Sequence, residues 1–224
     1  MFKTETHLHV AEVSPCANVG AAELIRLYSE AGFNTVFVSD HLTKPIFERF
    51  GDIPYEEKTK KFMEGYEIAK TEGEKYGINV LFSAEFQFSY STDHFLLYGI
   101  DKAFLDLGPE MFEMTLPEFY ALAKSHGVTV IQAHPYRDGK GLPREAEYLD
   151  AVEVYNGNRR HENYTEQSVA YAEEYNLPMT SGSDTHREED VAQGGVLSDI
   201  EIKSAEDYVR LVMSRSLKLI GIDT

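Results

Sequence analysis

The sequence predicts an α/β protein built as a closed or nearly closed β/α barrel. Three observations predict it. Short apolar, β-branched runs alternate with amphipathic stretches of helical length along the whole chain. About seven such units follow one another with no repeat, low-complexity segment or Gly/Ser linker between them. The 224 residues are enough to bury one sizeable core, so residues 1–224 read as a single domain. A doubly wound open sheet is the alternative, and periodicity alone does not separate the two. In either fold the ligand site lies at the C-terminal ends of the strands.

The elements follow in order. "TETHLH" reads as a strand, and "GAAELIRLYSEAG" as a helix closed by Gly32. "NTVFVSD" is an apolar, β-branched run of the kind found in buried strands. "EEKTKKFMEGYEIAKTEGEKYG" is a long amphipathic helix ending at Gly77. "INVLFSAEFQF" and "HFLLYGI" are strands joined by the turn-rich "SYSTD". "TLPEFYALAKSHG" is a helix with Pro117 in its first turn and Gly127 at its end. "VTVIQAH" and "AVEVYN" are strands, "ENYTEQSVAYAEEYN" a helix and "LPMTSGS" a strand. "SAEDYVRLVMSR" is the last clear helix, before "SLKLIG".

Composition narrows the class. Hydrophobic residues at 42% and charged residues at 26% indicate a soluble globular chain. No apolar run approaches the roughly 20 residues of a membrane span. The start, "MFKTETHLHV", has no apolar signal region, so the expected location is cytoplasmic. Cys16, the single cysteine, forms no internal disulfide. It reads as a small, partly buried residue, because no thiolate-stabilising cluster is legible around it. The net charge of −17 disfavours long nucleic acid as a partner.

The histidines carry the chemistry. His7 and His9 form an H-x-H pair, and residues i and i+2 of extended chain share a face. His41 ends "NTVFVSDH", and Glu85 lies late in "INVLFSAE". His134 ends "VTVIQAH", where Pro135 favours an extended backbone at the histidine. Asp184 and His186 follow "LPMTSGS". Each falls at the C-terminal end of an expected strand. His94 opens its strand, and it reaches the same rim if that strand runs antiparallel through the "SYSTD" hairpin. Six histidines and two carboxylates at one sheet end call for more than one metal ion, since imidazole suits Zn, Mn or Fe and carboxylates bridge cations. His126, before Gly127, reads as a helix-end residue. His161, after "YNGNRR", reads as a pocket residue at most.

The series "HLH", "SDH", "SAE", "HFLLYG", "AHP" and "SDTH" resembles the PHP (polymerase and histidinol phosphatase) superfamily in both motifs and order, from His7 to His186. Amidohydrolases share H-x-H but usually carry a lysine where Glu85 stands. The resemblance implies a distorted (β/α)7 TIM-like barrel binding two or three divalent ions (Zn, Mn or Fe). It implies His7, His9, Glu85 and Asp184 on one metal. Glu85 would bridge to a second held by His94 and His134, and His41 and His186 would hold a third. Members usually add a ligand to the third metal from the loop after H-x-H, often Asp or His. Here Glu12 of "HVAEVSPC" is the candidate.

The expected activity is a metal-dependent phosphomonoesterase. It would act on a small phosphorylated substrate, release inorganic phosphate and use a metal-activated hydroxide. A histidine of the cluster or a metal-bound water would protonate the leaving group. Asp184 and His186 stand in the catalytic cluster, and Arg137 and Arg160 are candidates for positioning the phosphate. Arg159 and Lys44 are weaker candidates. The alternatives are a nuclease or nucleotide phosphodiesterase, a phosphotyrosine-protein phosphatase, and a non-catalytic, metal-stabilised binding module.

Overall fold

The structure is a computed structural model and describes residues 1–138 and 141–222. The chain begins with β1 (Phe2–Leu8), α1 (Ala21–Glu30), β2 (Thr35–Val38), β3 (His41–Leu42) and α2 (Lys44–Arg49). Then come α3 (Tyr55–Tyr76), β4 (Asn79–Gln87), β5 (His94–Tyr98), α4 (Lys102–Leu105) and α5 (Leu116–Ser125). It continues with β6 (Thr129–Ala133), β7 (Ala151–Asn156), α6 (Thr165–Glu174) and β8 (Met179–Gly182). It finishes with β9 (Val196–Ser198), α7 (Ala205–Met213) and β10 (Lys218–Leu219).

Strand order decides between barrel and open sheet. The sheet runs β10-β9-β1-β2-β4-β5-β6-β7-β8, with β3 pairing beside β4. Just past β8, Thr185 bridges Leu8 in parallel, and the amide of His9 donates to Thr185 O at 3.0 Å. The last strand of the series therefore returns to the first. The sheet is mixed, barrel-shaped and nearly closed, as a distorted TIM-like barrel requires, and the open doubly wound alternative falls away. β5 is antiparallel to both β4 and β6, so the "SYSTD" hairpin does invert that strand. β9 flanks β1 on its other side, antiparallel to it, and β10 pairs with β9, antiparallel in turn.

Local chemistry explains the helices. α3 closes on Gly77, whose φ of +68° is the left-handed conformation glycine adopts without steric cost. α5 opens with a capping box between Thr115 and Glu118, with proline in its first turn. α3 can lie close to the loop after β1 because residue 65 is glycine. A Cβ there would stand 2.4 Å from Val10 Cγ2. The buried Phe37, Leu96, Tyr98, Ile131, Ala151, Val196 and Tyr208 join five strands and α7 in one apolar cluster, the continuous core that a barrel needs. No helix among the described residues is long and apolar enough to cross a membrane.

Candidate metal centre

Strand register assembles the site. His41 is the cross-strand partner of Glu85. His94 faces Gln87 on one side and Ala133, the neighbour of His134, on the other. The hydrogen bonds that tie Thr185 to His7 and His9 bring its two neighbours, Asp184 and His186, against the H-x-H pair. Six histidines and two carboxylates from opposite ends of the chain thus meet at one sheet end.

Glu85 is the hub. Its Oε1 lies 3.0 Å from both His94 Nδ1 and His134 Nε2 and 3.3 Å from His7 Nε2. Its Oε2 lies 2.7 Å from His41 Nδ1 and 3.6 Å from His9 Nε2. Asp184 Oδ1 is the second hub, 3.2 Å from His9 Nε2, 3.3 Å from His186 Nδ1 and 3.5 Å from His7 Nε2. His7, His9, His134, Glu85 and Asp184 are buried, whereas His41, His94 and His186 are partly exposed. An inner floor and an outer wall result.

The donors fit metal ions. Four overlapping groups, each with donor atoms within 4.8 Å, could each hold one: His7/His9/Glu85, His7/His134/Asp184, His41/Glu85/His94 and His9/His41/His186. Glu85 Oε2 and His9 Nδ1 are buried without a hydrogen-bond partner. His41 Nδ1 is 2.7 Å from that oxygen but poorly aligned, and a buried carboxylate oxygen without an aligned donor is costly unless a cation completes it.

The electrostatics agree. Burial pushes Glu85 up, but His94, His7 and His41 outweigh it and hold the carboxyl well below its usual range. Burial likewise raises Asp184, while Arg137, His7 and His186 hold it far lower. Both carboxylates are therefore ionised and ready to ligate.

Two site residues sit in an uncommon backbone conformation. His134 has φ +31° and Asp184 φ +52°, so the extended conformation expected at His134 before Pro135 is not adopted. The amide of His134 donates to Glu153 Oε2, and the His134 carbonyl accepts from the Arg137 amide at 3.0 Å. These contacts hold a turn that aims the ring at Glu85. Non-glycine residues with positive φ concentrate at functional sites.

The cluster floors a cavity of about 340 Å³ whose wall carries Cys16, Asn158, Arg160, His161 and Arg187. A larger cleft of about 640 Å³, beside Tyr136, Arg144, Tyr171 and Tyr175, holds none of the clustered histidines.

Three expectations change. Glu12 does not join the cluster. It is exposed, and both its oxygens accept from the Ala21 amide, at 3.1 and 3.0 Å, which caps α1. Arg137 lines the cavity, as expected, but its guanidinium is engaged by protein partners rather than free to clamp a phosphate. It is 4% exposed, and its guanidinium meets Asp184 Oδ2 at 2.6 Å, Asn163 Oδ1 at 2.8 Å and Asn156 Oδ1 at 2.5 Å. It braces a ligand instead. Cys16 does have a thiolate-stabilising surround. Burial raises the thiol, but hydrogen bonds with His186 and His41 bring it down to about 6.

The other candidates are placed as follows. Arg160 reaches the cavity wall, its Nη1 held by both oxygens of Asp190 at 2.6 and 2.8 Å. Lys44 turns to Glu113 at 2.9 Å. Arg159 is exposed and does not line the cavity. His126 is the C-terminal cap of α5, far from the cluster in role.

Sequence reasoning missed Glu153, Glu5 and Arg187. Glu153 is wholly buried in β7 and lies 2.9 Å from His7 Nδ1. Glu5, also buried, accepts from the amides of Thr6, His7 and Ser183 and from the Tyr28 hydroxyl. The signal was available, since "AVEVYN" places a carboxylate inside an otherwise apolar strand.

A family model described as PHP-associated matches residues 162–215, the stretch that contains Asp184 and His186. No curated protein matches the sequence. The fold is that of a two-domain protein from Bacteroides vulgatus containing a predicted PHP-like metal-dependent phosphoesterase, at TM-score 0.69 and 15% identity. That match covers 97% of this chain and 64% of the other, so the chain spans less than two thirds of that relative. A protein from Bifidobacterium adolescentis described as a metal-dependent phosphoesterase matches at TM-score 0.58 and 15% identity over 99% of both chains. A lesion-specific endonuclease from Pyrococcus furiosus matches at TM-score 0.66 and 13% identity, over 99% of this chain and 59% of its own. The ordered motifs from His7 to His186 gather at one barrel end, the fold is shared with these structures, and the PHP-associated model matches the C-terminal segment that carries two of the clustered residues.

Proposed function

We propose that the protein is a metal-dependent phosphomonoesterase acting on a small phosphorylated molecule and releasing inorganic phosphate. The observation that carries this reading is Glu85. One buried carboxylate has five imidazoles within 3.6 Å and forms the floor of a cavity with three arginines in its lining.

His7, His9, Glu85 and Asp184 would hold the innermost cation, His94 and His134 with Glu85 a second, and His41 and His186 an outer one. Divalent cations so held supply a water activated near neutral pH and neutralise phosphoryl oxygens. The chain's own groups do the rest. Arg137 fixes Asp184 from behind, and Glu153 fixes His7 from behind. Arg160 and Arg187, on the wall opposite the floor, offer guanidinium donors to the non-bridging oxygens of a phosphate. A cavity of about 340 Å³ lies at the small end of ligand sites, which favours a small monoester over a polymer. The net charge of −17 works in the same direction.

Hydrolysis of p-nitrophenyl phosphate by Mn²⁺- or Zn²⁺-loaded protein tests the reading, with bis-p-nitrophenyl phosphate, short oligonucleotides and a phosphotyrosyl peptide in the same panel. Phosphate release that disappears in Asp184→Ala supports it. Equal background rates in both proteins across the panel refute it. Faster turnover of the diester or the oligonucleotides would favour a phosphodiesterase on the same floor, and preference for the peptide a protein phosphatase.

A further inference from the structure

The outer end of the cluster holds a donor of a different kind. Cys16 is exposed at the cavity wall, and its Sγ lies 3.2 Å from His41 Nε2. His186 lines the same cavity. His41 and His186 already share a group of close donors with His9. Beneath them, Glu85 lines the same cavity and is 1% exposed, and its Oε2 makes no aligned hydrogen bond although His41 Nδ1 stands 2.7 Å away.

The loop that carries Cys16 is fixed at both ends to the backbone of those histidines. Ser14 Oγ donates to Asp40 Oδ1 at 2.7 Å and accepts from the amide of His41 at 3.2 Å. The Asn18 amide donates to His186 O at 2.8 Å. The cysteine is thus held between the two histidines, while Glu12 of the same loop is committed to α1.

We propose that Cys16 is a sulfur ligand in the outer metal position, completed by His41 and His186, and that it makes this position selective for zinc or cobalt over manganese. The proposal rests on the metal cluster read above and adds the identity of one ligand and the kind of ion it takes. Thiolate is a soft donor that suits zinc, whereas manganese prefers carboxylate and water. Tetrahedral bond lengths to sulfur and nitrogen place two such donors about 3.5 Å apart. The observed 3.2 Å between Sγ and His41 Nε2 needs only a small widening to admit an ion.

The test is cobalt titration of metal-stripped full-length protein, reading near-ultraviolet sulfur-to-cobalt charge transfer and bound equivalents, with far-ultraviolet circular dichroism to confirm folding. The wild type should develop the band, and Cys16→Ser should lose it together with about one equivalent of cobalt. Cys16→Asp should restore the equivalent without the band and should bind one more manganese than the wild type. Two or more equivalents of cobalt in the wild type without the band would overturn the proposal while leaving the cluster intact. Unchanged stoichiometry in Cys16→Ser would also overturn it. A chain that binds no cobalt at all would overturn the metal-cluster reading itself.

Discussion

Glu153 Oε1 lies 2.9 Å from His7 Nδ1, and both residues are wholly inaccessible to solvent. The other oxygen of Glu153 accepts from the His134 amide and from Asn156 Nδ2. One buried carboxylate therefore orients two candidate ligands, one through its ring and one through its backbone. A carboxylate behind a ligating imidazole fixes its tautomer and raises its basicity.

Glu153→Gln keeps the side chain's size but removes that charge. Metal affinity should fall roughly 10–100-fold, measured by competition with a chromophoric chelator. An affinity within twofold of the wild type would show that Glu153 is only a packing residue.

Arg137 and Asp184 form a buried pair at 2.6 Å. Arg137→Met leaves a buried carboxylate without its guanidinium, and loss of one partner of such a pair costs about 3–5 kcal/mol. The loss should appear in urea unfolding of metal-free protein and shrink when zinc is present, because a bound cation supplies the missing charge. Equal losses with and without zinc would contradict a metal beside Asp184.

Tyr28 joins α1 to the barrel seam through its hydroxyl, 2.7 Å from Glu5 Oε2 and 2.6 Å from Thr185 Oγ1. Tyr28→Phe should cost about 1–3 kcal/mol in chemical unfolding, because buried groups lose a partner. Metal stoichiometry should stay unchanged, since Tyr28 touches no candidate ligand side chain.

Gly194 packs on the β8 backbone just before Asp184. A Cβ there would stand 2.2 Å from Gly182 O and 2.4 Å from its carbonyl carbon, neither of which can move alone. At Gly51 nothing lies within 4 Å, and only a φ of +86° opposes a side chain. Gly194→Ala should therefore lower the thermal midpoint far more than Gly51→Ala, whose cost is about 1 kcal/mol. The reverse order would show that the seam is not tightly packed.

Much of this site could be read before any coordinates existed, because strand ends are local features. "HLH", "SAE" and "SDTH" announced side chains at one sheet end, and the hairpin reading of "SYSTD" placed His94 on the correct rim. What escaped depends on long-range approach. Glu12 and Cys16 lie in one loop, and only the tertiary fold turns the first toward the Ala21 amide and the second toward His41. Arg137 follows His134 closely enough to seem a rim residue, but the left-handed turn at His134 directs it inward to Asp184. The short β3 and β9 carry too few residues to show a period, and they exist because neighbouring strands complete their hydrogen bonds.

The central claim is that Glu85 unites the cluster. Elemental analysis of anaerobically purified wild type and Glu85→Gln, alongside phosphate release from a monoester panel, tests it most directly. The wild type should carry at least two divalent ions per chain, and Glu85→Gln should lose most of that metal and the turnover together. A wild-type chain with less than one equivalent after metal loading, or a Glu85→Gln protein that keeps both metal and turnover, would contradict it.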